Sequence, residues 1–439
     1  MRRRFFFFIF LSLSVIGCEL LLPPNVYKKL EESGVLSSSS SSSEASSSSV
    51  FSSSEISSSS ISSSSVSSSS SSLAAGELDP NFKTGMELNY SSVECIAKRS
   101  DGKILIGGLF YGIKNPLLID SNGSIDNNFN SVGIGANNYS YTAEIVVLND
   151  NTILIGGGFK EYNSNPITNI AKLNSDGTLN TSFTSYITEV DKCVYAIAVQ
   201  SDGNIIVAGD FIYYQSELVG GIVRLSNNGE LDSTFSNNYG FLGDYCIYSI
   251  ALQSDGKILV GGHFTNYNGI TVTNLMRLNS DGSLDTSFVG SGSIMNENGN
   301  DIYVIKVDSG NRIYVGGSFT NFSGTGKNGI VRLNSDGSID NFFSTSGLQG
   351  NYFSVKDIAI QSDGKIVIGG DFTSYEGTLI SNLARLNPDG SLDTTFNTGR
   401  GPNYSVEKIF IPDNNWIYIG GCFTEYNGVQ IYNMARIKQ

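Results

Sequence analysis

From about residue 77 onward, apolar residues come in short runs cut by Gly, Asn, Asp and Ser. No window sustains the 3.6-residue period of an amphipathic helix, so the pattern predicts strands. "CIYSIALQ" (Cys246–Gln253) is apolar and β-branched, and "KILVGGHF" (Lys257–Phe264) follows it after the turn "SDG". "NLMRLN" (Asn274–Asn279) comes after a longer loop, and "SLDTSF" (Ser283–Phe288) follows a second "SDG". These four runs make one predicted unit of four strands.

The unit recurs. Its glycine pair, or the equivalent, begins at Gly107, Gly156, Ala208, Gly261, Gly316, Gly369 and Gly420, in steps of 49, 52, 53, 55, 53 and 51 residues. A fixed period of this size marks a repeat architecture and is read before any local motif. Both tight turns fit a three-residue hairpin loop with Gly in the left-handed conformation. Centring the second loop on Asp281 sets Leu278 opposite Leu284 and Arg277 opposite Asp285, so opposite charges face each other across the hairpin. The same geometry sets Arg224 against Asp232, Arg332 against Asp340 and Arg385 against Asp393. In the second unit both partners soften, to Lys172 and Asn180; the first unit breaks the rule with Leu118 opposite Asp126.

The repeat starts and stops mid-phrase. "GELDPNF" (Gly76–Phe82) is a fourth strand without its unit, and "NMARI" (Asn433–Ile437) is a third strand without its partner. Joined, they complete a seventh unit with Arg436 opposite Asp79. The expectation is an all-β fold: a seven-bladed β-propeller of four-stranded blades, its ring closed by the N- and C-terminal strands. An open solenoid needs polar caps and has no reason to divide a unit between its ends. Spelled as "V..IA.QSDGKI..GG.FT.YNG…RLN.DGSLDTSF", the repeat resembles the delta-60 repeat family of bacterial propellers over Glu77–Gln439. That resemblance implies the fold and no settled activity. The first unit, "GGLFYGIKNP" (Gly107–Pro116), lacks the "YNG", so a different loop is expected there.

Ahead of the repeats, "MRRRFFFFIFLSLSVIG" (1–17) places three arginines before an apolar run too short to span a membrane, the pattern of a secretory signal. "VIGC" (Val15–Cys18) resembles a bacterial lipobox, with Cys18 as the lipidated residue. Ser37–Ser72 holds 28 serines in 36 residues, which cannot bury enough apolar area to order the chain. As a coil it reaches about 30–35 Å. The expected organisation is a lipoprotein signal peptide (1–17), a lipidated N-terminus with a serine-rich tether (18–76) and the propeller (77–439), held at a bacterial envelope membrane by lipid alone.

A net charge of −14, with no basic stripe, argues against nucleic acid. A single histidine, His263, leaves His-based triads and multi-His metal sites nearly excluded. No catalytic residue, cofactor or metal is expected, although paired carboxylates converging in the channel stay open. The "NSDGSLD" stretches crowd Asn279, Asp281 and Asp285 like a calcium loop, but the EF-hand spacing and its terminal Glu are absent, and the turn and Arg277 account for both aspartates. The glycine pairs suggest close approach of neighbouring blades. The aromatics Tyr162, Tyr214, Tyr267, Phe322, Tyr375 and Tyr426 read as inter-blade packing or as a sugar-stacking ring. Cys193 and Cys246 share one place in consecutive blades and read as a bridge across a narrow channel or as buried thiols.

The tight turns all fall on one rim. The long, variable connections fall on the other: "NSVGIGANNYSY" (Asn130–Tyr141), "SNNYGFLGDY" (Ser236–Tyr245) and "VGSGSIMNENGN" (Val289–Asn300). Binding concentrates in variable loops on a rigid scaffold. Tyr239, Phe241, Tyr245, Met295 and Asn298 are therefore the candidate binding residues, on the long-loop face or at that mouth of the channel. The expected role is a non-catalytic binding module for a protein or glycan. A carbohydrate-active enzyme with acidic channel residues and a purely structural envelope protein are the alternatives.

Overall fold

Each repeat folds as a small antiparallel sheet because its β-branched runs are separated by turns that only reverse the chain. In the fourth unit, Cys246–Leu252 pairs with Ile258–His263, which pairs in turn with Leu275–Leu278. The computed structural model describes residues 73–439 apart from 84–90, 111, 134, 137–139, 185–186, 188–191, 237–238, 291–299 and 351–352. The expected signal, Cys18, the serine stretch, Met295 and Asn298 lie outside the described residues. The described residues form an all-β protein of repeated small sheets, as expected of propeller blades. None of their helices is long and apolar enough to cross a membrane.

The first strand of every unit is innermost: Ser92–Lys98, Tyr141–Val147, Val194–Val199, Cys246–Leu252, Ile302–Val307, Ser354–Ile360 and Val406–Phe410. Each lies against the inner strand of the next unit, and Val406–Phe410 lies against Ser92–Lys98. The core sits between sheets. Leu154 and Ile170 of one unit share an apolar cluster with Val194, Val207 and Val223 of the next. Phe82 and Val93 likewise cluster with Tyr418 and Met434 from the far end of the chain. There, Leu78 bridges Ile437, Gly76 N–H donates to the Lys438 carbonyl (2.8 Å), and Asp79 N–H donates to the Arg436 carbonyl (2.9 Å).

One expectation is corrected. The fourth run of each unit is not a strand but a single bridging residue, as in Leu278–Leu284 or Leu386–Leu392. The reason is local. The Asp285 carboxylate accepts from Ser287 N–H (3.0 Å) and Ser287 Oγ (2.6 Å), which turns the chain away from the ladder. The "YNG" loop also has structure of its own. Asn266–Tyr267 pairs with Ile270–Thr271 around Asn268 (φ 50°) and Gly269 (φ 79°), the two positive φ values a tight primed turn requires. In the first unit this hairpin gives way to a loop in which Asn115 bridges Gly135, and Leu109 pairs with Tyr141 of the next inner strand.

Candidate functional site

The outer hairpin repeats its chemistry almost without change. Arg277 Nε donates to Asp285 (2.8 Å), Lys257 Nζ donates to the same carboxylate (2.8 Å), and the guanidinium lies 4.6 Å over the Phe288 ring. Burial alone would raise Asp285; the bonds from Lys257, Ser287 and Arg277 outweigh it and hold the carboxyl well below its usual range. Arg224–Asp232, Arg332–Asp340 and Arg385–Asp393 meet at 2.7 Å, and Arg436–Asp79 at 2.8 Å. The arginine also reaches the next unit. Arg224 donates to Ser280 O (2.7 Å), Arg277 to Ser335 O (2.5 Å), Arg332 to Pro388 O (2.5 Å), and Arg436 to Ser121 O. In the softened second unit, Lys172 turns to Asn227 (2.7 Å), and in the first unit Asp126 is taken by Lys103 (2.6 Å). The Asp281 carboxylate accepts from Ser283 N–H (3.0 Å) and Oγ (2.6 Å) inside its turn.

The repeated aromatics and glycines are packing residues. Tyr267 is fully buried and its hydroxyl donates to the Gly282 carbonyl (2.8 Å); Tyr162, Tyr214 and Tyr375 do the same to Gly177, Gly229 and Gly390. Tyr426 donates to Gly76 O (2.6 Å). Of the two readings of these aromatics, the structure shows packing and not a sugar-stacking ring, since these faces are inside the core. A Cβ on Gly261 would sit 2.6 Å from Ile302 of the next inner strand, and one on Gly420 would sit 2.6 Å from Val93. The second glycine answers a different need: a Cβ on Gly262 would meet the Cys246 carbonyl at 2.1 Å, beside a bulge between Ile247 and Ser249.

That bulge sets a residue whose chemistry changes from unit to unit. In chain order it is Glu94, Ala143, Tyr195, Tyr248, Tyr303, Lys356 and Glu407. Tyr195 and Tyr248 meet edge to face (centroids 5.6 Å apart), Tyr248 and Tyr303 lie 5.3 Å apart, and Tyr141 adds a ring 6.4 Å from Tyr195. Lys356 Nζ caps the row, 3.9 Å from the Tyr303 ring centroid. The remaining arc is charged. Burial first, then the neighbouring Glu407 carboxylate, push Glu94 up to about 8; burial raises Glu407 as well. The next position along supplies Lys408, which spans to Glu144 (3.7 Å), and Asp357, which pairs with Lys306 (3.3 Å) and accepts from Ile409 N–H (2.9 Å). Burial opposes the Lys408 ammonium, but Glu144 and Asp357 outweigh it and raise Lys408 above its usual value.

These inner residues were not singled out from the sequence. The signal was present: align the units on their glycine pairs, and one column changes from acid to aromatic to base while the column before it stays Val, Ile or Thr. His263 lies at the end of its strand, opposite Cys246, with Nδ1 2.7 Å from Asp301 of the next unit. The Asp301 hydrogen bond outweighs partial burial and raises the imidazole above its usual value. Cys193 and Cys246 are free thiols and not a bridge; burial pushes Cys193 up to about 12 and raises Cys246 too, which makes both poor nucleophiles.

Among the candidate loop residues, Tyr239 is 61% exposed. Phe241 is core: its ring packs 4.8 Å from Phe264 and 5.1 Å from Tyr267, so it anchors the loop and presents no face outward. Tyr245 is half-buried, and its hydroxyl donates to the Phe211 carbonyl (2.9 Å). On the opposite, tight-turn rim a cavity of about 480 Å³ opens where three inner strands end, lined by Val307, Ile360, Ile411, Gln361, Pro412 and their neighbours. Among the described residues, no three His, Cys, Asp or Glu side chains converge as a metal site.

Residues 148–183, 200–235, 253–288, 311–343 and 361–396 match the model of a beta-propeller domain of unknown function, DUF5122; the chain thus carries DUF5122 beta-propeller repeats. No curated protein matches the chain. Among solved structures, it is similar to the extracellular domain of BT4673 from B. thetaiotaomicron, with 17% identity and a TM-score of 0.51 over 82% of this chain and 40% of that one. This chain therefore spans about two fifths of that structure's length. It is also similar to virginiamycin B lyase from Staphylococcus aureus, with 12% identity and a TM-score of 0.46 over 79% of this chain and 94% of that one.

Proposed function

We propose that this chain is a seven-bladed β-propeller whose two ends complete one shared blade, and that it works as a non-catalytic binding module at a bacterial envelope membrane. Three contacts support closure by the termini: the Leu78–Ile437 bridge, the Arg436–Asp79 pair, and the Arg436 bond to the tight turn of the first unit. The last repeats, at the far ends of the chain, the bond that Arg224, Arg277 and Arg332 each make to the next unit. Lipidated Cys18 and the serine tether hold the head at the membrane.

The observation that carries the binding role is the contrast within a unit. The outer hairpins keep one chemistry, whereas the inner column runs Glu94, Ala143, Tyr195, Tyr248, Tyr303, Lys356, Glu407. Packing needs no such variety; recognition of an asymmetric ligand does. The ligand, a protein or glycan, docks on the long-loop face, with Tyr239 on its rim and the tyrosine arc beneath. The test is a binding screen of the purified full chain against envelope and host-type glycans and proteins, repeated with Ser236–Tyr245 replaced by a Gly/Ser loop. Binding lost with the loop supports the reading; binding unchanged by the replacement counts against it.

One observation favours a second reading, a carbohydrate-active enzyme with acidic channel residues. Glu94 and Glu407 sit close enough that each raises the other's cost of ionising, and Glu94 holds its proton to about pH 8, as a general acid must. Release of reducing ends from a glycan panel, abolished by Glu407→Gln, would select this reading over the first.

A further inference from the structure

The geometry points to a separate ligand site on the tight-turn rim, one that takes a short aliphatic chain ending in an ammonium group. The cavity of about 480 Å³ lies there, where the inner strands Ile302–Val307, Ser354–Ile360 and Val406–Phe410 end. Small-molecule sites run from about 300 to 1,000 Å³, so it has room for a ligand. It is built from other elements than the long-loop face and does not depend on that reading.

The sequence makes the space. Four units pass from first to second strand through "SDG", beginning at Ser100, Ser201, Ser254 and Ser362. The fifth and seventh depart, with Asp308–Asn311 and Pro412–Asn415, and these departures flank the regular turn of the sixth in the cavity wall. Pro412 takes the place held by Gln200, Gln253 and Gln361, so one long polar side chain is missing from the wall. The rest of the rim is held in shape. Ser362 Oγ donates to Asn414 Oδ1 (2.8 Å), and the Asp308 carboxylate accepts from Gly310 N–H (2.9 Å), Arg312 N–H (2.9 Å) and Arg312 Nε (2.6 Å).

The wall selects the chemistry. Val307, Ile360, Ile411 and Pro412 give it an aliphatic floor with no aromatic ring, which suits a hydrocarbon chain better than a stacked base or sugar. The charged side chains of the lining are Asp308 and Asp413, with no Lys, Arg or His, which turns away phosphates and carboxylates. Arg312 already compensates Asp308. Asp413 is exposed and its carboxylate accepts from Asn415 N–H (2.8 Å); among the described residues no basic side chain pairs with it. Gln361, also in the wall, is 4% exposed, and its Oε1 has no hydrogen-bond partner. A buried acceptor left unmade costs free energy, so an arriving donor is favoured. An ammonium brings three donors, no acceptor, and one positive charge for the one uncompensated carboxylate. A free alkylamine and a lysine side chain share that group.

The experiment is a ligand-detected NMR titration of the full chain with n-pentylamine hydrochloride, sodium pentanoate, 1-pentanol and the peptide acetyl-Gly-Lys-Gly-amide. The expected result is saturation transfer to the amine, the peptide or both, the tighter of the two identifying the source, with none to pentanoate and binding of 1-pentanol at least tenfold weaker. Asp413→Asn, at an exposed position, should leave Tm unchanged and weaken ammonium binding about tenfold or more, the loss of a charge-assisted hydrogen bond. Ile360→Phe should fill the floor and abolish binding; if that chain fails to fold, Asp413→Asn decides alone. Replacing Ser236–Tyr245 should leave ammonium binding intact, which keeps this site distinguishable from the long-loop one. No transfer to amine or peptide overturns the proposal. So does pentanoate binding as tightly as the amine, or undiminished binding by Asp413→Asn.

Discussion

The outer hairpins and the inner strands of this protein are made from the same repeats and obey opposite rules. In the outer hairpin, Arg224, Arg277, Arg332, Arg385 and Arg436 each hold an aspartate at 2.7–2.8 Å, and four of them also bind a carbonyl in the next unit. At the inner bulge, equivalent positions carry acid, alanine, tyrosine or lysine. The difference shows which parts of a repeat answer to packing. A residue whose partner is supplied by the repeat itself must recur, since losing one partner leaves the other buried and unpaired. A residue on an inner strand meets its counterparts from the neighbouring units, and identical charges there would repel. Variety at the inner column is therefore permitted everywhere, and the split into one aromatic and one charged arc is the feature on which the proposed binding role rests.

The sharpest way to break the comparison is to remove one outer partner. Asp79→Ala strands a buried Arg436 and should cost about 3–5 kcal/mol, measured by urea unfolding. Asp232→Ala, whose pair is more exposed, should cost clearly less. Equal losses would mean that the join between the two ends of the chain is no different from any other hairpin. Phe241→Ala, a core ring in a variable loop, should cost a similar 3–5 kcal/mol or so. Next comes the glycine that lets neighbouring inner strands approach. Gly261→Ala must move Ile302 and should cost about 1–3 kcal/mol. The third unit already carries Ala208 at that position, so Ala208→Gly should cost far less than its converse.

The two regions also respond to opposite ends of the pH scale. Asp285 and Asp393 are held below their usual value in the fold, so their contribution is complete above pH 3.8 and fades as pH falls. Glu94 is raised from 4.5 to about 8, so the contribution of its protonated form is complete below 4.5 and is lost as pH rises through 8. Stability should fall between pH 5 and 8 with a slope of up to about 1.4 kcal/mol per pH unit. Glu94→Gln should flatten that limb and leave the acid limb unchanged. A variant that keeps the wild-type slope would show that the inner carboxylates do not titrate as a buried pair.

Most of the outer architecture was legible in the sequence because its determinants are local. The turn around Asp281, the Leu278–Leu284 bridge and the Arg277–Asp285 pair all lie within twelve residues of one another, and even Arg436–Asp79 follows from completing the phrase. The fourth strand was overread because alternation in "SLDTSF" says nothing of the Asp285 side chain capturing Ser287. Phe241 was misjudged for a related reason: a long irregular loop hides which aromatic turns inward until Phe264 and Tyr267 are in place around it. The inner cluster was invisible for a stronger reason. Glu94 and Glu407 are more than three hundred residues apart, and only the arrangement of the strands makes them neighbours.

The finest test separates two aromatics in one loop. Tyr239 is mostly exposed and Phe241 is core, although only Gly240 stands between them. Tyr239→Ala should change unfolding free energy by no more than about 0.5 kcal/mol, the usual range for a surface change. If the long-loop face binds a partner, the same substitution should weaken that binding at least tenfold, because an exposed tyrosine offers a large contact area at little entropic cost. Stability and binding then part company at Tyr239 and fall together at Phe241, whose loss loosens the loop that carries its neighbour. A Tyr239→Ala chain that unfolds early would place this residue with the packing residues and remove it from the proposed binding face.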